Sequence, residues 1–368
     1  MYIYIILFGL LIMNMYVFKG KCKTFVIFTF LELFLVAALR NYTVGIDLKG
    51  HYAKNYINFG NMEWIKIFEL IEKNNSFYDS GLILFMKVLS TFVKHRQFFI
   101  IITSAITYGL VGRYIYKHSK NVYLETFIFF TAYTYFMYMN IIAQALAIAI
   151  ILFSIDFLEN KKIVQFVLLT LLANCIHSSA IIALIFIPLR YLKINKQKLR
   201  LLILGILIFM VSFDTVIPII VENIFPQFAY YFEGDEVNKI DKLQLVYVIF
   251  YGIMFLFSFI INYGVSENLK RKEFDFENLK SVFFVSAILA VLIRYLGMSV
   301  YIFSRMGFYF YLFAHTMFVS SIEQIKDNRL RGYTKVFAYI GLFVFFVVLT
   351  KTLKVSYGVV PYKFFYND

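Results

Sequence analysis

The chain has 368 residues, of which 61% are hydrophobic and 16% charged, and its mean hydropathy is +0.75. A soluble domain is nearer half apolar and a quarter charged, so this composition excludes a soluble globular protein and predicts one surrounded by lipid. The net charge of +14 does not indicate nucleic-acid binding, because Lys and Arg lie in short loops between apolar runs, as cytoplasmic anchors do.

Apolar runs recur along the whole chain and predict an all-α, polytopic membrane protein with about twelve transmembrane helices. The shorter run 81–93 is predicted to be a re-entrant or interfacial helix. No Pro- or Ser-rich linker interrupts the pattern, so residues 1–368 are predicted to form a single integral membrane domain. The predicted spans cover residues 1–17, 24–39, 98–116, 122–138, 142–158, 163–176, 180–192, 201–220, 244–263, 281–297, 303–320 and 336–352.

Basic residues set the predicted orientation. Alternate loops that contain Lys19–Lys23, Lys117–Lys120, Lys161–Lys162, Lys193–Arg200, Lys270–Lys280 and Lys326–Lys335 are rich in Lys and Arg. The positive-inside rule places these loops in the cytoplasm, so both termini and a long loop, 40–97, are predicted to lie outside.

Polar side chains gather at one predicted face. Ionisable groups at membrane depth are costly and usually mark a site, so chemistry is predicted at the outer face. The residues at the outer ends of apolar runs are Arg40, Asp47, Gln144, His177 and Arg305, with Arg294 nearby.

Each of these residues also has a structural interpretation. Arg40 is suited to bind phosphate or carboxylate through its planar fork, or to anchor the helix at the headgroups. Gln144, flanked by alanines, is expected to hydrogen-bond across to a neighbouring helix. His177 fits either a general base or a helix cap. Arg305 reaches an anion in the bundle or extends to lipid phosphate.

Familiar signatures of other chemistries are absent. The sequence contains no P-loop, no GxSxG, no HExxH and no DxD pair. Its two cysteines, Cys22 and Cys175, have no metal-ligand spacing around them. The sequence therefore predicts no metal and no cofactor, and a transferase of this kind would use a donor that needs no divalent ion.

Together, the polar residues and their flanking segments resemble the EpsG-type branch of the Wzy polysaccharide polymerases. An arginine precedes a V-G-x-D block after an early span. The tyrosine that follows this block, Tyr52, stands one position later than in the family pattern. A second arginine opens a Tyr/Phe-rich late span. The resemblance covers most of the chain. The matching segments are Arg40, VGID (44–47), NIIAQALA (140–147), ENKK (159–162), LANCIHSSAII (172–182), RMGFYF (305–310) and Pro361-Tyr362.

The resemblance implies a GT-C-like glycosyltransferase that polymerises lipid-linked repeat units of O-antigen (the lipopolysaccharide chain), capsule or exopolysaccharide. It implies a place in the bacterial inner membrane, with the site facing outside. The expected partners are undecaprenyl-diphosphate-linked donor and acceptor, membrane lipids and a chain-length regulator, with no nucleic acid.

Residue roles follow from the same resemblance as expectations. Arg40 and Arg305 bind the diphosphate, and Gln144 orients sugar or phosphate, with Arg294 and Tyr52 also in the substrate site. His177 or Asp47 takes the acceptor proton, although Asp47 is equally suited to hold Arg40 through a salt bridge. The arginine that the family places before the glutamine is Ala143 here, so another basic residue is expected to substitute: Arg113, Arg294 or Lys49.

Two other functions use similar chemistry or surroundings. An O-antigen ligase shares the donor, but usually has its basic and His residues in a large late outer loop, whereas residues 221–243 are short and acidic. A flippase or other transporter would place polar groups at the midplane and show related halves, which this sequence does not.

Overall fold

The computed structural model describes residues 2–73, 78–192, 242–264, 279–299, 301–352 and 357–366, with a few single positions between 201 and 219. These residues are predominantly helical, and their one β pairing is an isolated bridge between Arg40 and Phe364. The chain divides into two compact units: unit 1 comprises residues 1–184 and 333–368, and unit 2 comprises residues 185–332. The single domain over 1–368 stays a prediction.

Unit 1 is a bundle of apolar helices. Helix α2 packs along α6, α6 along α9, and α9 along α10, while α3 and α4 pack on α5. The helices are α1 (Tyr2–Val17), α2 (Cys22–Ala38), α3 (Ala53–Asn61), α4 (Trp64–Glu72), α5 (Ser80–Phe92), α6 (Arg96–His118), α7 (Val122–Thr131), α8 (Thr134–Asn140), α9 (Ile142–Glu159) and α10 (Ile163–Ile176).

The predicted span 122–138 is broken in the structure. The run 122–138 forms α7 and α8, because Tyr133 has a left-handed backbone with φ of 65°. A second break at Ile141 separates α8 from α9. Irregular backbone at membrane depth is tolerated only where protein buries it or a cavity adjoins it. Residues 124–149 are all buried, so protein surrounds both breaks.

Aromatic side chains join the first helix to a late one. The ring of Phe8 in α1 stacks on Phe343 and Phe346, with ring centroids 5.8 and 5.6 Å apart, and also meets Phe127 and Phe130. Residues 343 and 346 belong to a long helix, Asn328–Thr352, whose second part returns to unit 1. Such ring pairs contribute about 0.5–1.5 kcal/mol each beyond their buried area.

Unit 2 contains α11 (Phe186–Tyr191), α12 (Lys242–Phe259), α13 (Lys280–Ser299), α14 (Tyr301–Met306) and α15 (Phe308–Glu323), followed by the start of α16 (Asn328–Thr352). Helices α12, α13 and α15 pack against one another. The close approach of Gly297 to Ser304 turns α13 tightly into α14, since a Cβ at Gly297 would lie 2.7 Å from the Cβ of Ser304.

Five described helices are long and apolar enough to cross a membrane: Arg96–His118, Ile142–Glu159, Gln244–Asn262, Lys280–Met298 and Asn328–Thr350. The chain is therefore an all-α membrane protein. The count of twelve spans and the side of the termini stay predictions. The predicted span 201–220 is described only at single positions, and residues 221–241 of the acidic segment lie outside the described residues.

The loop predicted over 40–97 is mostly helical. It forms a π-helical turn over Leu48–Tyr52 and then α3, α4 and α5, so the interfacial run 81–93 corresponds to α5 (Ser80–Phe92). Helix α5 carries buried residues on one side, including Leu82, Ile83 and Met86. At 13 residues it rises about 20 Å, which is shorter than the roughly 30 Å hydrocarbon core.

We expect Gly112→Ala to destabilise the protein by about 1–3 kcal/mol, because overpacking forces neighbouring side chains to move. An added Cβ at Gly112 would lie 2.8 Å from the Phe30 ring, where α6 meets α2. Gly109→Ala, one turn away with nothing within 4 Å, is the matched control. Thermal unfolding of the detergent-solubilised protein measures both, and equal unfolding temperatures would contradict the close packing.

We expect a membrane-impermeant maleimide to label Lys49→Cys in spheroplasts, in a chain that lacks both native cysteines. Native Cys22, in a Cys175→Ser chain, should react only after permeabilisation. Both positions are exposed, so sidedness rather than burial decides the result. The reverse pattern would invert the topology predicted from basic loops.

Candidate functional site

The two ends of unit 1 differ in chemistry. Gln97, in the first turn of α6, donates from Nε2 to the carbonyls of Ala38 and Arg40 at the end of α2. The last turn of α6 instead meets Asp156, near the end of α9. The 23 residues of α6 rise about 35 Å, so Arg40 and Asp156 belong to opposite ends of the bundle.

The segment after α2 is fixed by residues 357–366. Asn41 N–H donates to the Lys363 carbonyl (2.8 Å), and Phe365 N–H donates to the Leu39 carbonyl (3.0 Å). The Tyr362 hydroxyl donates to the Val36 carbonyl at 2.9 Å. Burial raises the pKa of Tyr362 to about 12, so this donor stays protonated. The segment around Arg40 and the Pro361-Tyr362 segment, which both carry the family resemblance, therefore pack together in the structure.

Arg40 is buried, with 1% of its surface exposed. Its Nη1 donates to the Ala37 carbonyl (2.6 Å) and its Nη2 to the Met139 carbonyl (2.9 Å). These carbonyls lie at the C-terminal ends of α2 and α8, where the helix dipole is negative. The guanidinium therefore joins two helix ends. Its Nε has no hydrogen-bond partner among the described residues.

Arg40 has no carboxylate partner within the part of the chain that the structure describes, where every salt bridge involves Asp156 or Glu159. The titratable groups around it are tyrosines: Tyr108, Tyr135, Tyr4 and Tyr362. A buried cation without a counter-ion is costly, since its hydration is lost and only dipoles replace it. Arg40 is therefore suited to meet an anion supplied by a ligand.

A small cavity of about 10 Å³, enough for about one water molecule, adjoins Arg40. Four hydroxyl-bearing residues of α6 contribute to its wall, and sequence reasoning missed them because it considered ionisable and amide groups only. Their spacing in TSAITY (103–108) puts all four on one face of a helix, which is the signal that was available. The lining residues are Arg40, Thr103, Ser104, Thr107, Tyr108, Tyr138 and Ile142.

Asp47 reaches the same region through its backbone. Its N–H donates to Oδ1 of Asn140 at 3.0 Å, next to the Met139 carbonyl that Arg40 binds. Gly45 permits this approach, since its φ is +110° and an added Cβ would lie 3.3 Å from the Met139 oxygen. Both Nη atoms of Arg40 donate to backbone carbonyls, and the alternative in which Asp47 holds Arg40 through a salt bridge stays a prediction.

Gln144 lies in the first turn of α9, 2% exposed, two residues after Ile142 in the cavity wall. Ala143, at the position of the family arginine, is also buried there. Arg113 does not substitute for that arginine: it pairs with Asp156, which lies 12 residues beyond Gln144 and thus about 18 Å further along α9. Lys49 is exposed.

His177 ends α10 and lies beside the start of α5. Its Nδ1 is 2.8 Å from the Ser179 Oγ. The following N–H, of Ser178, donates to Oδ2 of Asp79 at 3.0 Å. Helices α5 and α10 touch closely there, since a Cβ on Gly81 would lie 2.6 Å from the Cys175 oxygen.

Tyr52 belongs to the same neighbourhood as His177. Its ring centroid is 5.7 Å from that of Tyr78, the residue before Asp79. Asn55 Nδ2 donates to the Tyr78 hydroxyl at 2.7 Å. The structure thus forms two clusters at one end of unit 1: Arg40 with Asp47 and the start of α9, and Tyr52 with His177.

The opposite end of unit 1 contains an ion-pair cluster. Asp156 accepts from Arg113, from Lys117 Nζ (2.9 Å) and from His118 Nε2 (2.8 Å). His118, Asp156 and Glu159 have ligand atoms within 4.8 Å of one another, a spacing that suits a metal ion. Two cations, Arg113 and Lys117, already neutralise Asp156, so we interpret the cluster as a contact that fixes α6 against α9.

In unit 2, Arg294 lies among aromatic rings. It is 2% exposed, and its Nη1 donates to Oε1 of Gln244 at 2.6 Å. The guanidinium carbon lies 4.2 Å from the Tyr247 ring centroid and 5.3 Å from that of Tyr311. Cation–π contacts of this kind are favourable when they are desolvated, so the rings support a charge at this position.

Arg305 lies in the short helix α14 and is half-buried. It follows Ser304, which packs against Gly297. The predicted substrate residues are therefore divided between the units, with Arg40, Asp47, Tyr52, Gln144 and His177 in unit 1 and Arg294 and Arg305 in unit 2. Their roles stay predictions.

Comparisons with known proteins give one match. The model of the EpsG family matches residues 23–364, which includes Arg40, the cavity wall and Tyr362. No curated protein and no solved structure matches the chain. Because the matched region covers nearly the whole sequence and the helices are those of a multi-pass membrane protein, the chain belongs to the EpsG family.

Proposed function

We propose that this protein polymerises a bacterial surface polysaccharide. It transfers a growing glycan from undecaprenyl diphosphate onto a lipid-linked repeat unit, at the outer face of the cytoplasmic membrane. The observation that carries this proposal is the buried guanidinium of Arg40, which adjoins a cavity and has no carboxylate partner among the described residues. Membership of the EpsG family supports the substrate class.

The reaction needs charge stabilisation at the leaving group. The acceptor hydroxyl oxygen attacks the anomeric carbon of the donor glycan, and the bond from that carbon to the diphosphate oxygen breaks. Negative charge then grows on the departing lipid diphosphate. A preorganised cation in a dry site stabilises such charge far more than in water. Arg40 is proposed to supply it, with Arg305 and Arg294 as further candidates from unit 2.

The acceptor hydroxyl loses its proton to a base. His177 and Asp47 are the candidates, each at the end of unit 1 that holds Arg40. His177 is half-buried and has a hydroxyl partner in Ser179, so its ring is oriented. Asp47 is positioned through Asn140. Gln144 and Tyr52 lie beside these groups and are proposed to contact sugar or phosphate.

A deletion strain tests the function through Arg40. We expect the deletion to leave a single repeat unit on the lipid core, and wild type to restore a ladder. Arg40→Lys should fail to restore it, because Lys lacks the planar fork that donates to two carbonyls and an anion at once. Surface glycan on a gel and protein level in the membrane measure the result.

Arg113→Lys is the matched control for Arg40→Lys. It keeps a cation beside Asp156 at the opposite end of unit 1, so a ladder of wild-type length is expected. A deletion that leaves no repeat unit on the core would favour a flippase or a ligase over a polymerase. A full ladder from Arg40→Lys would remove Arg40 from the site.

His177→Ala tests the base. General base catalysis typically contributes about 10²–10⁴-fold, so we expect the rate of chain extension to fall within that range while the protein remains in the membrane. Ser178→Ala is the control, because its backbone N–H still donates to Asp79. Chain-extension assays in membranes with lipid-linked donor give the rates. An unchanged rate in His177→Ala would mean that Asp47, not His177, is the base that takes the acceptor proton.

A further inference from the structure

Helix α5 lies across one end of unit 1 rather than along the bundle. Its start contacts the end of α10, since a Cβ on Gly81 would lie 2.6 Å from the Cys175 oxygen. Its last residue, Phe92, is followed closely by Arg96, where α6 begins at the Arg40 end. Helix α10 also ends there, because a short turn joins it to α9, which starts at that end and packs along it. Both ends of α5 are therefore at the Arg40 end of unit 1.

This end of unit 1 is a boundary between membrane and water. Helix α6 is long and apolar enough to cross a membrane, so its first residues lie where the hydrocarbon core ends. Helix α5 rises about 20 Å and helix α4 about 14 Å, and neither length crosses a hydrocarbon core of roughly 30 Å. The two short helices therefore lie along the membrane surface or above it.

Helix α4 is held against α5 by one apolar and one cationic side chain. Ile67 is the buried residue of α4, which packs on α5. Lys87 of α5 is also buried, and its Nζ donates to the carbonyl of Met62, just before α4. The same Nζ lies 5.4 Å from the centroid of the Trp64 ring. Trp64 is therefore fixed beside the second half of α5.

An apolar rim, formed by Trp64, Ile65, Phe68, Val88 and Phe92, is exposed on these two helices. Trp64 and Phe68 lie four residues apart on one face of α4, with their ring centroids 6.1 Å apart. Val88 and Phe92 are likewise four residues apart, on one face of α5. The exposed fractions are 64% for Ile65, 56% for Phe68 and 76% for Phe92. Exposed apolar clusters of this kind mark a surface that contacts lipid or another protein.

Composition and charge favour lipid as the partner of the apolar rim. Tryptophan is enriched at the boundary between headgroups and acyl chains. Lys66 lies about 200° around α4 from Trp64, so the side of this helix opposite the rim is charged. Two residues after Phe92, Lys94 is exposed, and Arg96 is half-buried. Cations next to an exposed apolar edge are complementary to lipid phosphates above acyl chains.

We propose that the apolar rim inserts into the membrane interface at the Arg40 end of unit 1, with Lys94 and Arg96 at the lipid phosphates. Helices α4 and α5 then lie in the plane of the membrane, as amphipathic interfacial helices do. Helix α3, which packs on α5 and begins directly after Tyr52, is thereby held at the membrane surface. This inference does not rest on the proposed polymerase function.

Trp64 is the single tryptophan of the chain, so its fluorescence reports on the rim directly. The full chain is reconstituted in phosphatidylcholine vesicles that contain lipid brominated either near the glycerol end or near the methyl end of its acyl chains. We expect brominated lipid to remove most of the Trp64 emission. Bromine near the glycerol end should remove more, because an interfacial helix is buried only about 5–10 Å. Aqueous acrylamide should quench this emission weakly, and a Trp64→Phe chain gives the tyrosine background.

Lys66→Trp in a Trp64→Phe chain is the matched control. It moves the indole to the opposite side of the same helix, so acrylamide should quench its emission strongly and brominated lipid only weakly. Phe68→Asp changes an exposed side chain of the rim and keeps Trp64 in place. It should raise quenching of Trp64 by acrylamide and lower quenching by brominated lipid, because a carboxylate resists insertion among acyl chains.

The two quenchers separate the possible surroundings of the rim. Strong quenching by brominated lipid at position 64 and weak quenching at position 66 would support the proposal. Emission at position 64 that acrylamide quenches and brominated lipid does not would place the rim in water and overturn it. Emission that neither quencher reaches would mean that protein, such as a second copy of this chain, covers the rim, which would also overturn it. None of these outcomes depends on whether the chain polymerises a glycan.

Discussion

The structure of unit 1 depends on a cation buried between two helix ends. Arg40 donates to the Ala37 and Met139 carbonyls, which end α2 and α8. Without it, two negative helix ends would face each other in a dry bundle, where dipoles are weakly screened. The break at Ile141 is therefore stabilised by Arg40, the same group that is proposed to bind the substrate. A substitution of Arg40 would affect both the folding of this region and the proposed reaction.

The candidate site combines rigid and adaptable parts. Arg40, Gln97 and Asn140 fix the backbone of the segment after α2 through several hydrogen bonds. His177, half-buried at the end of α10, has its closest side-chain partner in Ser179. In the proposed reaction the diphosphate is held by the fixed part, and the acceptor approaches the more accessible one. That division suits the proposed reaction, in which a new lipid-linked repeat unit enters as the acceptor in each cycle.

The sequence predicted some of this arrangement well. Apolar runs gave most helices to within a few residues, and polar residues at run ends placed Arg40 and Gln144 at one end of the bundle. The break at Tyr133 was missed, because an apolar run looks continuous whether or not its backbone is. Ser104 and Thr107 were missed because a hydroxyl in an apolar helix normally bonds its own backbone. Arg113, one of three candidates to replace the family arginine, lies at the opposite end of the bundle because it pairs with Asp156.

The contacts of residues 357–366 with the segment after α2 have a consequence for how the protein is made. Tyr362 binds a carbonyl 326 residues earlier in the chain, and a ribosome extends a chain at roughly 5–20 residues per second. The backbone around Arg40 thus waits tens of seconds, already in the membrane, for the strand that secures it. A prematurely terminated product lacks these contacts, so the backbone around Arg40 in incomplete copies is without the hydrogen bonds that fix it.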